Sequence, residues 1–316
     1  MRADVQQFLT QRTTRTADHD PQRLLAAKQA SGTTVSVVLP AKDEERTVGP
    51  IVETLLRAWT RDVPLVDELV VMDSNSTDAT SAVAAAAGAR VVHVEDVLPH
   101  LGSVPGKGEA LWKSLACTTG DLVVFLDADL VDVDPGFVLG LLGPLLTDPG
   151  VGFVKGFYDR PLATTEGLVP TGGGRVTELL ARPLLNALWP DLAGVVQPLG
   201  GEYAGRRSLL ERVPFVSGYG VEFGLLVDLT RLAGIEALAQ VDLGVRRHGH
   251  QSDAALGRMA GQVLQTALAR LPGGGPTTTD QLLQFVRTGE DVEAVGWDVA
   301  VSERPPMAQV LARSTR

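Results

Sequence analysis

Apolar positions along this chain keep switching between two rhythms. Residues 35–39 form a short β-branched run that ends at Pro40, and residues 47–59 then set Val48, Ile51, Val52, Leu55 and Leu56 at helical spacing. The alternation repeats with a strand at 68–72, an alanine-rich helix at 78–87 closed by Gly88, and a strand at 90–94. It repeats again with a helix at 109–117, stopped near Gly120, and a strand at 121–126. The strands are continuous in Val and Leu with no polar alternate face, as strands of a parallel sheet covered on both sides must be. The first 130 residues therefore predict an α/β, doubly wound, nucleotide-binding architecture with its active groups beyond the carboxyl ends of the strands.

Further along, the pattern predicts a helix at 135–146, a strand at 151–157, a helix at 175–188, and apolar segments at 222–232, 237–245 and 253–271. Residues 160–174 are rich in Gly, Thr and Pro and read as a mobile loop, because few of them can bury enough apolar area to offset ordering. A second break at 272–276 precedes a C-terminal piece, 272–316, that reads as peripheral. Residues 1–31 are polar with a weak helical segment near Leu24 and read as an extension outside the main fold. The expected organisation is a nucleotide-binding half, 32–160, followed by a second, more helical half, 161–271.

Composition narrows the classes. With 316 residues, 44% hydrophobic and 21% charged, the chain can bury a large core. A formal charge of −10 argues against nucleic acid and anionic lipid as partners, since neither meets clustered Lys and Arg. An anionic substrate must then be met by local positive charge or by a cation. The single cysteine, Cys117, reads as a small apolar residue in a helix and fits a reducing compartment. No run reaches about 18 apolar residues, the length a membrane span requires, and the first residues lack an apolar signal core. A cytoplasmic protein is expected.

The chemistry begins at Asp127-Ala128-Asp129, which follows directly on the strand 122–126. Alternation puts both carboxylates on one side, where each raises the pKa of the other unless a cation neutralises them. A hard divalent ion, Mg²⁺ or Mn²⁺, takes one or two carboxylates together with substrate phosphates. Loop or cap roles are the competing reading for such a pair. Gly106-Lys107-Gly108 opens a helix, so free N–H groups, the helix dipole and the Lys107 ammonium can face a diphosphate; a surface lysine in a turn is the alternative. Asp43, Asp73 and Asp78 can equally be turn formers or helix caps, and Asp78 is assigned to that class.

Three segments taken together, Pro40-Ala41-Lys42-Asp43-Glu44 after the first strand, Asp73-Ser74-Asn75-Ser76-Thr77-Asp78 after the second, and Asp127-Ala128-Asp129, resemble the family 2-like glycosyltransferases of the GT-A fold. The resemblance implies that Pro40, Ala41, Asp43, Glu44, Ser74, Lys107, Asp127 and Ala128 bind a nucleotide-sugar donor. Lys42-Asp43 departs from the Leu-Asn or Tyr-Asn pair of many relatives. Further motifs, Gly174-Arg175-Val176-Thr177, Gly200-Gly201-Glu202-Tyr203, Gly218-Tyr219-Gly220-Val221-Glu222 and Arg246-Arg247-His248, resemble the glucosyl-3-phosphoglycerate synthases, extending the likeness over residues 34–270. That family implies transfer of glucose from UDP-glucose or GDP-glucose to D-3-phosphoglycerate with retention, and a homodimer. Carried over, Asp127, Asp129 and Glu222 are catalytic, and Asp129 with His248 binds metal. Gly174, Arg175, Thr177, Tyr219 and His250 bind the acceptor. Glu202 is open between the sugar and buried backbone. His250 stands where relatives carry Asn, which offers different hydrogen-bonding geometry.

Competing functions are a sugar-phosphate nucleotidyltransferase, a non-catalytic sugar-nucleotide sensor, and transfer to another small acid, a polysaccharide or a lipid. The first lacks its usual Gly-rich opening segment here, and no basic amphipathic face favours a lipid.

Overall fold

The computed structural model describes residues 1–131, 133–159, 162–164, 167–169, 174–246, 252–274, 280–289 and 291–314. Helix α1, Ala3–Gln11, strand β1, Thr13–Arg15, and helix α2, Pro21–Ser31, come first. The predicted alternation follows as β2, Val35–Ala41, α3, Val48–Leu56, β3, Glu68–Asp73, α4, Thr80–Ala86, β4, Arg90–His93, α5, Lys107–Cys117, and β5, Leu122–Phe125. Next are α6, Gly136–Thr147, β6, Phe153–Asp159, and the hairpin strands β7, Leu162–Thr164, and β8, Gly167–Val169. The chain continues through α7, Arg182–Leu188, β9, Tyr203–Arg206, α8, Arg207–Leu210, β10, Phe215–Val216, α9, Val221–Ala233, β11, Leu238–Val245, and α10, Asp253–Ala269. A hairpin of β12, Gln281–Thr288, and β13, Asp291–Asp298, then β14, Glu303–Arg304, and α11, Met307–Ser314, complete it.

Eight strands form one sheet in the order β1-β11-β6-β9-β5-β2-β3-β4. All pairs are parallel except those of β9, which runs antiparallel between β5 and β6. This is the doubly wound, mostly parallel α/β sheet the pattern predicts, with two strands, β1 and β9, that no apolar run announced. Alternation divides its side chains between two cores. Val38, Val70 and Phe125 face Trp112, Tyr203 and Phe223 on one side; Val37, Leu39 and Val124 face Ile51, Leu55 and Leu141 on the other. After β2 the chain winds outward through β3 and β4, then returns to set β5 on the other flank of β2. The carboxyl ends of β2 and β5 therefore open a crevice at the switch point.

Two expectations need correction. Residues 1–31 do not lie outside the main fold: β1 pairs with β11, which would otherwise be the edge strand, and Val5, Phe8 and Leu24 are buried. An edge strand's unpaired backbone groups provide the driving force, seen in the Gln240 N–H donating to the Arg12 carbonyl at 2.8 Å. The end of the C-terminal segment is not peripheral either. Met307 is fully buried, Trp112 Nε1 donates to the Pro305 carbonyl at 2.8 Å, and β14 pairs with β10. Two-residue strands held by distant partners leave no periodic trace in a sequence.

Candidate active site

A cleft of 730 Å³ opens where the strands end, lined by Pro40, Ala41 and Glu44 after β2, Ser74 after β3, Lys107 at the start of α5, and Asp127, Ala128 and Asp129 after β5. Tyr219, Gln262 and the loop Ser103-Val104-Pro105-Gly106 complete the wall. Leu126 is the last residue tied to the sheet, its N–H donating to the Val38 carbonyl at 3.1 Å, so Asp127 emerges free of the ladder. Gly106 and Gly108 let α5 start against the neighbouring segment. A Cβ on Gly108 would stand 1.7 Å from the Val216 carbonyl oxygen, and Gly106 has φ +127.

Charge is concentrated at the bottom of this cleft. The Lys107 ammonium donates to Asp127 and sits 2.8 Å from a Glu222 carboxylate oxygen. Arg246, directly after β11, spreads its guanidinium across the acid pair, 3.1 Å from Asp127 and 2.6 Å from Asp129. Its other terminal nitrogen donates to Tyr158 Oη at 2.8 Å and lies 3.1 Å from Glu202, while Tyr158 Oη donates to Glu202 at 2.5 Å. Burial pushes the Asp127 carboxyl up, but Lys107 and Arg246 overcome it and hold Asp127 well below the usual carboxylate range. Burial keeps Glu202 above its ordinary value although Arg246 opposes it. Burial and the negative charge of Asp129 and Asp127 raise Glu44. Beneath, the Lys155 ammonium donates to the Gly200 carbonyl 4.6 Å from the Tyr203 ring centre, and burial lowers its pKa to about 8.

The acids Asp127, Asp129, Glu202 and Glu222 outnumber Lys107 and Arg246, the cations that pair with them. Of these acids, Asp127 and Asp129 line the cleft at the strand tip, and such hard oxygen donors suit a divalent cation. Among the described residues no group of three His, Cys, Asp or Glu forms a complete metal cage. His248, the expected imidazole ligand, lies outside the described residues, as does His250.

The other expected residues divide. Asp43 is not among the residues that line the cleft: its carboxylate accepts the Thr77 N–H at 2.7 Å and its own N–H meets Ser76 Oγ at 3.0 Å. With φ +57 at Asp43 and +60 at Asn75, the two strand-exit loops are stitched tightly together, and one oxygen of the acid is committed to that turn. Asp73 likewise accepts Ser76 N–H at 3.1 Å and Ser81 Oγ at 2.7 Å. Asp78 accepts the Thr80 N–H at 2.9 Å, the cap-like role expected of it. Gly174, Arg175 and Thr177 are not among the described residues that line the cleft. Arg175 pairs with Asp253 at the start of α10, and Thr177 is buried.

Sequence reasoning passed over Arg246 in favour of its neighbour His248, although a cation directly after a strand met the same criterion that selected Asp127. Glu202, left open between the sugar and buried backbone, accepts from Tyr158 and pairs with Arg246. Lys155 and Tyr158 lie inside β6, where no signal separates them from ordinary strand residues.

Residues 36–172 match glycosyl transferase family 2. Over 290 residues, 92% of this chain and 93% of the relative, the chain is 53% identical to glucosyl-3-phosphoglycerate synthase of Mycolicibacterium smegmatis. Glucosyl-3-phosphoglycerate synthase from Mycobacterium tuberculosis, solved in complex with Mn²⁺, UDP and phosphoglyceric acid, is similar with a TM-score of 0.83 at 48% identity, covering 92% of this chain and 95% of that one. Mannosyl-3-phosphoglycerate synthase from Rubrobacter xylanophilus is similar with a TM-score of 0.89 at 38% identity, covering 98% of both. A likeness this extensive runs through the GT-A sheet and well past it, and by it the chain belongs to the glucosyl-3-phosphoglycerate synthase family.

Proposed function

We propose that this chain is a metal-dependent, retaining hexosyltransferase that moves glucose from UDP-glucose, or GDP-glucose, to D-3-phosphoglycerate, giving glucosyl-3-phosphoglycerate. The observation that carries the reading is the acid pair Asp127 and Asp129 with Lys107 in contact with Asp127, in one cleft whose other end is formed by the exits of β2 and β3. Pro40, Ala41, Glu44, Ser74 and Ala128 frame the nucleoside. Lys107, with the free N–H groups at the start of α5, meets the diphosphate and stabilises the charge that gathers on it as the anomeric bond breaks. Asp129 and His248 would hold Mg²⁺ or Mn²⁺, which when bound would supply further positive charge to the leaving group.

Glu222 is paired with Lys107 and is 7% exposed, so it is suited to orienting sugar hydroxyls once the diphosphate draws Lys107 away. The acceptor hydroxyl attacks the anomeric carbon on the face the diphosphate leaves, and its proton passes to the departing phosphate oxygen. Gly174, Arg175, Thr177, Tyr219 and His250 form the acceptor side in the half 161–271, a helix start with a guanidinium and a hydroxyl being a fitting cradle for a phosphate or carboxylate.

A homodimer and a cytoplasmic setting belong to the same reading. The outward face of the β12–β13 hairpin carries Leu283, Phe285 and Val292, all more than half exposed, which suits a second copy of this chain. Phe285→Asp should convert the dimer to a monomer in light-scattering chromatography; an unchanged mass would exclude that face. Among the described residues no helix is long and apolar enough to cross a membrane.

The deciding experiment incubates the protein with UDP-glucose, GDP-glucose or GDP-mannose, Mg²⁺ or Mn²⁺, and 3-phosphoglycerate. NMR of the product's anomeric proton then reports the sugar and its configuration. Glucose transfer with retention, dependent on both the divalent ion and the acceptor, is the expected result. Pyrophosphate release from UTP and a sugar phosphate, or transfer confined to mannose, would overturn the assignment.

A further inference from the structure

Four residues near the C-terminus reach both walls of the donor cleft without lining it. On one side Arg304 forks onto Glu109, Nε and Nη2 each 2.7 Å from a carboxylate oxygen, and reaches the Leu101 and Gly102 carbonyls at 3.2 Å. Glu109 is 1% exposed and lies in the first turn of α5, two residues beyond Lys107. Lys113, one helical turn on, donates to the Gly102 carbonyl at 2.9 Å and to Ser103 Oγ at 2.8 Å. The loop that lines the cleft from Ser103 to Gly106 is thus pinned at its start and again just past its end.

On the other side the Ser302 carbonyl accepts the Ser217 N–H at 2.9 Å, and the two hydroxyls meet at 2.7 Å. β14 pairs with β10 through Phe215 and Val216, immediately before the cleft residues Gly218 and Tyr219. The two walls also touch each other, since Gly106 and Gly108 leave no room for a Cβ against Ser217 and Val216. Glu303 accepts from Arg270 at 2.7 Å, which ties the same strand to the end of α10.

We propose that the strand from Ser302 to Pro305 is a clasp for the donor cleft and that Arg304 is a positioning residue, acting through Glu109 and the loop 101–106 to set where Lys107 meets the diphosphate. A forked ion pair suits this task because it fixes orientation as well as distance. A lysine would keep the charge but lose the fork and one of the two carbonyl contacts. The inference rests on the nucleotide-sugar reading of the cleft and adds to it a residue about 200 positions away in sequence, as the Glu109–Arg304 separation of 195 shows.

The test uses Arg304→Ala, Arg304→Lys and Glu109→Gln, with UDP binding measured calorimetrically in Mn²⁺ and steady-state kinetics for each substrate. Arg304→Ala should raise the UDP dissociation constant and the KM for UDP-glucose about tenfold, the scale of a lost charge-assisted fork. The KM for 3-phosphoglycerate should stay unchanged, and Arg304→Lys should recover part of the loss. Should Arg304→Ala not fold, Glu109→Gln keeps the shape of the contact and carries the same selective effect on UDP. Arg12→Ala, which removes an ion pair to Asp148 at the sheet edge, should lower Tm and leave UDP affinity alone. UDP affinity unchanged in Arg304→Ala, or both KM values shifted equally, would overturn the clasp while leaving the donor reading intact. Failure of the unmodified protein to bind UDP would overturn both.

Discussion

Replacing Arg246 by Met removes the guanidinium that joins the acid pair to the buried carboxylate beneath it. Arg246 is 6% exposed and Glu202 is fully buried, so the loss leaves Glu202 with Tyr158 and no compensating cation at contact distance. Breaking a buried pair by deleting one partner costs about 3–5 kcal/mol, most of it from the stranded charge. Asp127 keeps Lys107 and Asp129 is near solvent, so Glu202 dominates the cost. Removing both charges should recover most of it, and Arg246→Met combined with Glu202→Gln is expected to be more stable than Arg246→Met alone. The pH dependence has a definite sign. Burial already holds the Glu202 pKa above its unfolded value, and losing Arg246 raises it further, so the folded state binds the extra proton. Stability of Arg246→Met should therefore rise as pH falls through the folded-state pKa of Glu202 and decline as pH rises through it. Urea denaturation across a pH series, read at constant m-value, measures both effects. A single variant with the wild-type midpoint at neutral pH, or a double variant no better than the single, would refute the account of Glu202 as a buried acid compensated by Arg246.

Three further outcomes follow from the site. Asp129→Ala should reduce turnover by about 10²–10³ or more with Tm unchanged, as loss of a group stabilising leaving-group charge does; retained activity excludes its metal role. Arg175→Ala should raise the KM for the acceptor and spare UDP affinity, and equal weakening of both would remove it from the acceptor cradle. Lys155, lowered to about 8 in the folded protein from an ordinary 10.5, binds fewer protons folded than unfolded, so its contribution to stability grows as pH rises between those values. Lys155→Met should flatten that rise in a urea series, and an unaltered slope would show that Lys155 does not titrate there.

The cleft lining was readable because strand exits are local. Asp127 and Asp129 follow an apolar run, Lys107 opens a helix behind a glycine, and Pro40 and Glu44 end another run, so adjacency in sequence already meant adjacency to the cleft. Asp43 shows the limit of that logic. It sits at the right exit, yet its left-handed turn commits its carboxylate to Thr77, and backbone dihedrals of single residues leave no mark on an apolar pattern.

The order of strands and helices from β2 through β5, the two-faced burial of the parallel sheet and the cluster of acids at its tip were set by local periodicity and composition alone. Only the folded chain decided that β9 enters antiparallel between β5 and β6, that β1 closes an edge, and that Arg246, Glu202 and Tyr158 form one buried network. It likewise decided that Arg304 reaches Glu109. Each of these joins residues dozens to hundreds of positions apart, and such contacts depend on how layers pack and which charges become desolvated together, properties that no local stretch of sequence contains.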